Sequence, residues 1–211
     1  MISIIDYGLG NLKAIYNLYE RLNLKVKITD NKRDLIDAKK IILPGVGSYD
    51  SAMQKLNDSG FREVLDYLVL QKKIPILGIC IGMHIMANKS EEGSMKGLGW
   101  IDADVKSFKN TLKNESIFSK KTHYLPFPHM GWNEIDNPRR NTLFCDLKSK
   151  KFYFLHSYYF APNNNSESIA ITEYGLKFCS AVMKENIYGV QFHPEKSHDN
   201  GIKLLENFAK I

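Results

Sequence analysis

The sequence predicts an α/β fold: a mostly parallel central sheet with helices on both faces, continued by an antiparallel β-rich extension. Two observations indicate it. Short apolar strands alternate with amphipathic helices through residues 2–87, whereas residues 99–192 contain strand-like segments separated by long polar connections. Alternating strands and helices are typical of a parallel sheet covered on both faces. With no internal repeat and no linker, we expect one domain, residues 1–211.

The first half supplies the alternating units. Residues 2–5 form an apolar strand, residues 8–11 a glycine-containing turn, and the next residues are apolar at helical spacing. The remaining predicted elements are strands at residues 25–29, 40–43 and 75–77, two helices around residues 52–56 and 61–68, and a helix at residues 81–87. Ligands of such sheets gather at the carboxyl ends of the strands.

The second half favours β structure. Residues 99–108, 151–161, 168–174 and 178–192 are rich in β-branched and aromatic residues, and residues 201–210 have a helical pattern. We expect these strands to extend the same sheet in antiparallel fashion, with the helix closing the chain.

The composition is that of an ordinary globular protein, with 44% hydrophobic and 25% charged residues. No apolar run approaches the roughly 18 residues of a membrane span, and no signal peptide precedes the first strand, so we expect a cytoplasmic protein without membrane contact. The net charge of +6 is spread over scattered lysines. This indicates a solvated surface, or attraction to an anionic ligand or acidic partner, rather than a nucleic-acid site.

The segment Gly-Ile-Cys-Ile-Gly at residues 78–82 lies where a buried strand passes into a helix. A strained turn there can expose a nucleophile, and a helix start favours the thiolate. Free cysteine is also among the most buried residue types, so the pentapeptide alone leaves Cys80 open as nucleophile or as core thiol. The three cysteines have no disulfide or metal spacing and are expected to be reduced.

A base for Cys80 is available in Gln-Phe-His-Pro-Glu at residues 191–195. In an extended segment His193 and Glu195 point the same way, so Glu195 can orient the imidazole that activates the thiol. The alternative is a strand-ending turn with a surface carboxylate.

The turn Pro-Gly-Val-Gly at residues 44–47 ends another buried strand at the same sheet edge. Its glycines can turn backbone N–H groups toward a substrate carbonyl, as an oxyanion hole requires, although a plain turn uses the same residues. The Gly8-Leu-Gly10 turn lacks the third glycine of a dinucleotide fingerprint. His84, His123, His129, His156 and His198 lack metal-ligand spacing, so we expect no cofactor and no metal.

Together these motifs resemble the triad class of glutamine amidotransferases, and within it the glutaminase subunits of imidazole glycerol phosphate synthase. The resemblance spans the chain. It is carried by residues 5–11, 43–47, 128–133, 156–159, 172–175 and 190–197 together with the cysteine pentapeptide. The implied fold is class I glutamine amidotransferase-like, that is, flavodoxin-like.

The resemblance implies hydrolysis of glutamine by Cys80, His193 and Glu195, with an oxyanion site formed by Gly45, Val46, Gly47 and Ile81. It also implies a heterodimer with a (βα)₈-barrel cyclase that uses the ammonia to make imidazole glycerol phosphate and an aminoimidazole carboxamide ribotide in histidine biosynthesis. Family positions at or near the partner interface correspond to Asn11, Pro128, His129, Met130, Gly131, Trp132, Asn133, Tyr158 and Lys196. Trp132, in an expected polar loop, indicates either an interface or the chain's own core.

His84 departs from the family pattern, which commonly has a substrate-holding glutamine four residues after the nucleophile. An imidazole has different reach and can charge, so His84 is either a substrate contact or a solvated helix residue. The runner-up function is an ammonia source for sugar amidation in a surface-glycan pathway. A non-catalytic docking subunit and a cysteine hydrolase are further alternatives; the intact triad residues argue against the first, and the interface-like motif against the second.

Overall fold

A computed structural model describes residues 1–114, 125–136, 138 and 142–211. Its strands are β1 Ile2–Ile5, β2 Val26–Thr29, β3 Lys40–Gly45, β4 Ile76–Cys80, β5 Lys89–Ser90, β6 Ala103–Ser107, β7 His129–Glu134, β8 Lys151–His156, β9 Tyr158–Pro162, β10 Ser168–Tyr174, β11 Leu176–Lys184 and β12 Ile187–Val190. Its helices are α1 Leu12–Arg21, α2 Tyr49–Asp58, α3 Phe61–Asp66, α4 Ile81–His84, α5 Phe108–Asn114 and α6 His198–Lys210.

The described residues form a sheet with the strand order β2-β1-β3-β4-β12-β11-β9-β6-β5, and β10 also pairs with β11. Strands β2, β1, β3, β4 and β12 run parallel to one another. The crossover from β1 to β2 moves along the sheet in the direction opposite to that from β3 to β4. Because such crossovers are right-handed, α1 lies on one face and α2 and α3 on the other.

Helix contacts agree with this arrangement, since α1 packs against α6 whereas α2 packs against α3 and α4. The reversal between β1 and β3 is a topological switch point, where ligands of open α/β sheets bind. The predicted fold class is therefore confirmed for the parallel half and its helices.

The antiparallel extension is also confirmed, with one correction. β11 pairs antiparallel with β12, β10 and β9, and β9 with β6. However, β8 does not extend this sheet: it pairs with β7 in a separate two-stranded ladder. The prediction of a loop around Trp132 was also wrong. Trp132 lies on β7, and this strand is defined by its pairing with β8, which is distant in the sequence.

Several boundaries differ from the sequence prediction. Helix α4 ends at His84 instead of residue 87, and α6 begins at His198 instead of residue 201. The strand predicted from residue 99 begins at Ala103, since the chain bends over residues 100–102 after Gly99, which has φ +66°. Helix α5 and the short strand β5 were not predicted.

An aromatic cluster joins the small ladder to the main sheet. The Phe154 ring on β8 lies 6.2 Å from that of Phe178 on β11 and 5.6 Å from that of Phe192 after β12. All three side chains are buried, so the ladder is fixed against the carboxyl edge of the parallel strands. In the described part of the chain, no helix is long and apolar enough to cross a membrane.

Candidate active site

A cavity of about 560 Å³ opens at the carboxyl edge of the parallel strands. Its floor and walls come from the segments that follow β1, β3, β4, β8 and β12, as expected at a topological switch point. The residues that line it are Gly10, Asn11, Val46, Gly47, Cys80, Ile81, His84, Glu92, Pro128, Leu155, His156, Ser157, Tyr158, His193, Glu195 and Lys196.

Cys80 occupies a strained turn at the end of β4. Its φ of 54° and ψ of −111° are rare for a residue with a side chain, and such strain is typical of a nucleophile between a strand and a helix. The turn needs glycine on both sides: a Cβ at Gly78 would lie 2.6 Å from the Gly82 carbonyl oxygen, and one at Gly82 would lie 1.9 Å from the Leu43 carbonyl oxygen. The strained turn predicted from the pentapeptide is thus present.

His193 and Glu195 lie side by side, although not for the predicted reason. Their Nδ1 and Oε1 atoms are 2.9 Å apart and both side chains are at most 4% exposed. The backbone of His193 is extended, but the extended segment stops there because Pro194–Lys196 forms a 3₁₀ turn. This turn places the Glu195 carboxylate next to the His193 imidazole. The backbone of His193 is held by Tyr153 and by the Ser197 hydroxyl, which donates to its carbonyl oxygen at 2.6 Å.

The electrostatics of the pair favour a charged imidazole. Burial alone lowers the pKa of His193, but hydrogen bonds with Cys80 and Glu195 and the charges of both groups outweigh it and raise the pKa to about 10. Glu195 Oε1 accepts from Nδ1–H, which leaves Nε2 of His193 for the sulfur.

The Pro-Gly-Val-Gly turn lies beside Cys80, because Gly45 is the register partner of Cys80 across β3 and β4. The buried Tyr7 hydroxyl fixes the turn by donating to the Pro44 carbonyl oxygen at 2.7 Å. Val46 and Gly47 line the cavity, and Gly47 has φ +95°. Ile81, the first residue after the nucleophile, lines it as well.

His84 is not a solvated helix residue; that alternative was wrong. The side chain is 1% exposed and its Nε2 lies 2.6 Å from Gln191 Oε1. Burial lowers the pKa of His84 to about 4, against a smaller opposing effect of the Gln191 hydrogen bond, so the imidazole is neutral near pH 7.

The residues predicted at a partner interface divide into two groups. Asn11, Pro128, Tyr158 and Lys196 line the mouth of the cavity. The others, from residue 129 to residue 133, lie along β7, where Met130 is 66% and Trp132 48% exposed. Trp132 is therefore not a core residue; its ring stacks on that of His198 at 5.1 Å.

His129 points inward from β7 and joins a directional hydrogen-bond chain. The Asn133 amide nitrogen donates to His129 Nε2, His129 Nδ1 donates to His156 Nε2, and His156 Nδ1 donates to the Tyr158 carbonyl oxygen. Because an amide NH₂ only donates and a carbonyl only accepts, both imidazoles are neutral with their protons on Nδ1. Burial lowers the pKa of His129 to about 4 and that of His156 well below its ordinary value.

Two groups in the site were not singled out from the sequence. Glu92 places a carboxylate on the cavity wall, where it accepts from the Tyr49 backbone N–H at 3.0 Å and where burial raises its pKa. Gln191, fully buried, directs its amide nitrogen toward Cys80 Sγ at 3.9 Å. One feature of the sequence could have indicated Glu92. Residues 91–92 follow the helix after Cys80 closely in the chain, so they stay near the carboxyl edge of the sheet. His123 lies outside the described residues.

A buried Cys-His-Glu arrangement on a strained turn of an α/β sheet defines a thiol-dependent acyl-transfer site. The family model for the class-I glutamine amidotransferase domain matches residues 3–211. The chain belongs to that family.

Full-length relatives narrow the assignment. The chain is 50% identical over 212 residues to the imidazole glycerol phosphate synthase subunit HisH of Leptospira borgpetersenii, with all of both chains covered. It is 46% identical to subunit HisH 2 of Methanococcus maripaludis, covering 100% of this chain and 99% of the relative. It thus belongs to the HisH family within the amidotransferases, as the sequence resemblance predicted.

Solved structures support the fold. A crystal structure described as a glutamine amidotransferase aligns with a TM-score of 0.73 at 16% identity, covering 100% of this chain and 99% of that one. The structure of PurLQS from Thermotoga maritima aligns with a TM-score of 0.70 at 16% identity, covering 99% and 97%. At such identities the likeness concerns the fold alone.

Proposed function

We propose that this chain is the glutaminase subunit of an imidazole glycerol phosphate synthase, hydrolysing glutamine to glutamate and ammonia. The observation that carries the proposal is Cys80 on a strained turn, in the same cavity as a buried imidazole that Glu195 orients at 2.9 Å. The relatives' names favour this over sugar amidation. The cytoplasmic location expected from the sequence suits this role and stays a prediction.

In the acylation step the Cys80 thiolate attacks the side-chain carboxamide carbon of glutamine. The C–N bond breaks, and the proton held by His193 goes to the departing nitrogen, which leaves as ammonia. Negative charge develops on the carbonyl oxygen, for which backbone N–H groups around Val46, Gly47 and Ile81 are the candidate donors. The product is a γ-glutamyl thioester on Cys80.

Deacylation reverses the role of His193. His193 has given its proton to ammonia, and the thioester sulfur carries no charge that would raise the pKa of the ring, so the neutral imidazole is available as a base. It takes a proton from water as the water oxygen attacks the thioester carbon. Glutamate leaves, and the thiolate and imidazolium are restored.

The cavity also offers a group for the amino acid end of the substrate. Glu92 lines the same cavity as Cys80, with a carboxylate whose pKa burial raises. A carboxylate in a partly buried site binds an ammonium strongly. We assign Glu92 to the α-ammonium of glutamine.

The proposed partner is a (βα)₈-barrel cyclase that docks over the cavity mouth and β7. Two exposed apolar side chains, Met130 and Trp132, lie on β7, and Lys196 and Asn11 lie at the cavity rim. Aromatic and methionine side chains are enriched at interfaces. Ammonia released at Cys80 would then pass into the partner instead of water, and the lyase step belongs to that partner.

The test measures glutamate release from glutamine by the complex of this chain with a barrel cyclase subunit from the same genome, with and without its nucleotide intermediate. We expect activity that the nucleotide stimulates, and none in Cys80→Ala with the complex still intact. Cys145→Ala, which alters a partly exposed thiol outside the cavity, is the matched control. Full activity of Cys80→Ala would refute the triad, and absence of nucleotide stimulation would refute the histidine-pathway partner.

A further inference from the structure

A second chain of hydrogen-bonded side chains, separate from His193 and Glu195, reaches Cys80. His84, at the end of α4, lies 2.6 Å from Gln191 Oε1, and Gln191 Nε2 lies 3.9 Å from Cys80 Sγ. His84 and Gln191 are at most 1% exposed. Water therefore does not compete for these hydrogen bonds, and their directions are set by the side chains themselves.

The direction of each bond follows from the donor and acceptor inventory. A carbonyl oxygen only accepts, so Nε2 of His84 carries the hydrogen that Gln191 Oε1 receives. The amide NH₂ of Gln191 is then free to donate toward the sulfur. Nδ1 of the neutral His84 ring is left as an acceptor that has no partner within the described part of the chain.

The opposite orientation of the Gln191 amide would place its oxygen against Cys80. The partly negative amide oxygen would then face the negatively charged sulfur whenever Cys80 is a thiolate. Gln191 sits just after β12, where its backbone N–H donates to the Ser180 carbonyl oxygen. This bond fixes the backbone but leaves the amide free to flip, so the bond from His84 selects its orientation.

We propose that His84 is a positioning residue: by donating from Nε2 to the Gln191 carbonyl oxygen, it holds the Gln191 NH₂ toward Cys80, where it stabilises the thiolate before glutamine binds. The inference rests on the proposed function, since it concerns the nucleophile of that reaction. It gives His84 a role directed at the nucleophile and distinct from holding the substrate.

The test reads the thiolate without glutamine. The rate of Cys80 alkylation by iodoacetamide is followed across pH in the complete chain, with peptide mass spectrometry separating Cys80 from Cys145 and Cys179. We expect His84→Leu to slow alkylation at pH 7 by about tenfold and to move the midpoint upward, because a charge-stabilising hydrogen bond is lost. His84→Gln, whose amide can still donate to Gln191, should stay within about twofold of the parent rate.

Gln191 supplies an independent check that does not depend on His84→Leu folding well. Gln191→Leu should slow alkylation to the same extent, and combining it with His84→Leu should add little, since both remove one interaction. Thermal unfolding of each variant verifies that it is folded. The titratable groups that also face this region, His193, Tyr7 and His156, are unchanged in all of them.

An unchanged alkylation profile in folded His84→Leu or Gln191→Leu would overturn the inference. A raised KM for glutamine with an unchanged profile would do the same, and would make His84 a substrate contact. Because alkylation needs no glutamine, a chain without glutaminase activity could still give the expected profile. Failure of the proposed function and failure of this inference are therefore separable.

Discussion

At the scale of single residues, the proposed site combines Cys80 on a strained turn with two buried chains of polar side chains, His193 with Glu195 and Gln191 with His84. The positive φ of Cys80 costs on the order of 1–3 kcal/mol, and the close packing of Gly45 and Gly82 around it holds the turn in place. The Cys80 sulfur lies 3.9 Å from Gln191 Nε2, and its interaction with His193 raises the pKa of that imidazole. The His193–Glu195 and His84–Gln191 pairs are both buried, so small changes in the orientation of these side chains have large electrostatic effects.

Glu195→Gln tests the orienting carboxylate. We expect kcat for glutamate release to fall by roughly 10²- to 10⁴-fold with little change in KM, because the amide can present its NH₂ to Nδ1 and select the wrong tautomer. The measurement is steady-state glutaminase activity of the complex.

The matched control for this substitution is Glu185→Gln, which removes an exposed carboxylate paired with Lys73. It should keep the parent activity. Equal activity of both variants would mean that Glu195 does not orient His193.

At the scale of elements, the nucleophile depends on how closely α4 crosses β3. Gly82 on α4 approaches the Leu43 carbonyl so closely that a Cβ would lie 1.9 Å from its oxygen. A backbone atom cannot move aside as the end of a flexible side chain can. The approach of the helix to the strand therefore fixes where Cys80 sits.

Gly82→Ala should lower the free energy of unfolding by about 3 kcal/mol, through overpacking against β3. Gly99→Ala is the control, because Gly99 has φ +66° but its Cβ would meet only Asn88 Oδ1 at 3.6 Å. It should cost about 1 kcal/mol for the left-handed backbone alone. Urea unfolding measures both, and equal losses would contradict the close contact between α4 and β3.

The second element of interest is β7, which carries exposed apolar side chains beside the cavity. Trp132→Ala should change stability by less than about 1 kcal/mol, since the ring is 48% exposed. It should weaken binding of the barrel partner by roughly 30-fold, as removal of an aromatic anchor does.

Titration calorimetry with the partner measures this effect. Tyr67→Ala, which removes a similarly exposed aromatic ring (44%) from the π-helical segment Tyr67–Gln71, should bind as the parent does. If both variants bind equally well, β7 is not at the interface.

At the scale of the whole molecule, buried histidines set the response to acid. Burial lowers the pKa of His84 and His129 to about 4, and His156 is lowered as well. The unfolded chain binds these protons near pH 6.5. In the folded chain His84 and His129 bind theirs only near pH 4, and His156 binds its proton well below its ordinary pKa. The folded state therefore loses stability as pH falls through this window.

We expect the free energy of unfolding to fall by roughly 3 kcal/mol per pH unit between about pH 6.5 and 4, at about 1.4 kcal/mol for each of the two protons of His84 and His129. The lowered pKa of His156 acts in the same direction. His193 does not oppose this slope: its pKa is raised, so its contribution is complete below pH 6.5 and is lost only as pH rises toward 10. Urea unfolding at a series of pH values provides the measurement. His129→Asn should reduce the slope and exposed His198→Asn should not; a flat profile would contradict the neutral buried cluster.

The sequence by itself determined the parallel half of the fold and indicated the residues of the proposed triad. Apolar periodicity is a property of each segment, so it predicted β1, α1, β3 and β4. The glycines around Cys80 predicted the strained turn, because a sharp turn with close backbone contacts needs residues without a side chain beside it. The short spacing of His193 and Glu195 likewise limited how far apart they could lie.

Only the tertiary structure decided which segments face one another. The pairing of β7 with β8, the burial of His84 against Gln191 and the position of Glu92 on the cavity wall all join residues distant in the chain. A local pattern fixes how a side chain leaves its own strand or helix, but not which other element lies opposite. For that physical reason the sequence predicted a loop at Trp132 and could not decide whether His84 contacts substrate or is a solvated helix residue. The tertiary structure supplied the partners, β8 for the strand of Trp132 and Gln191 for His84.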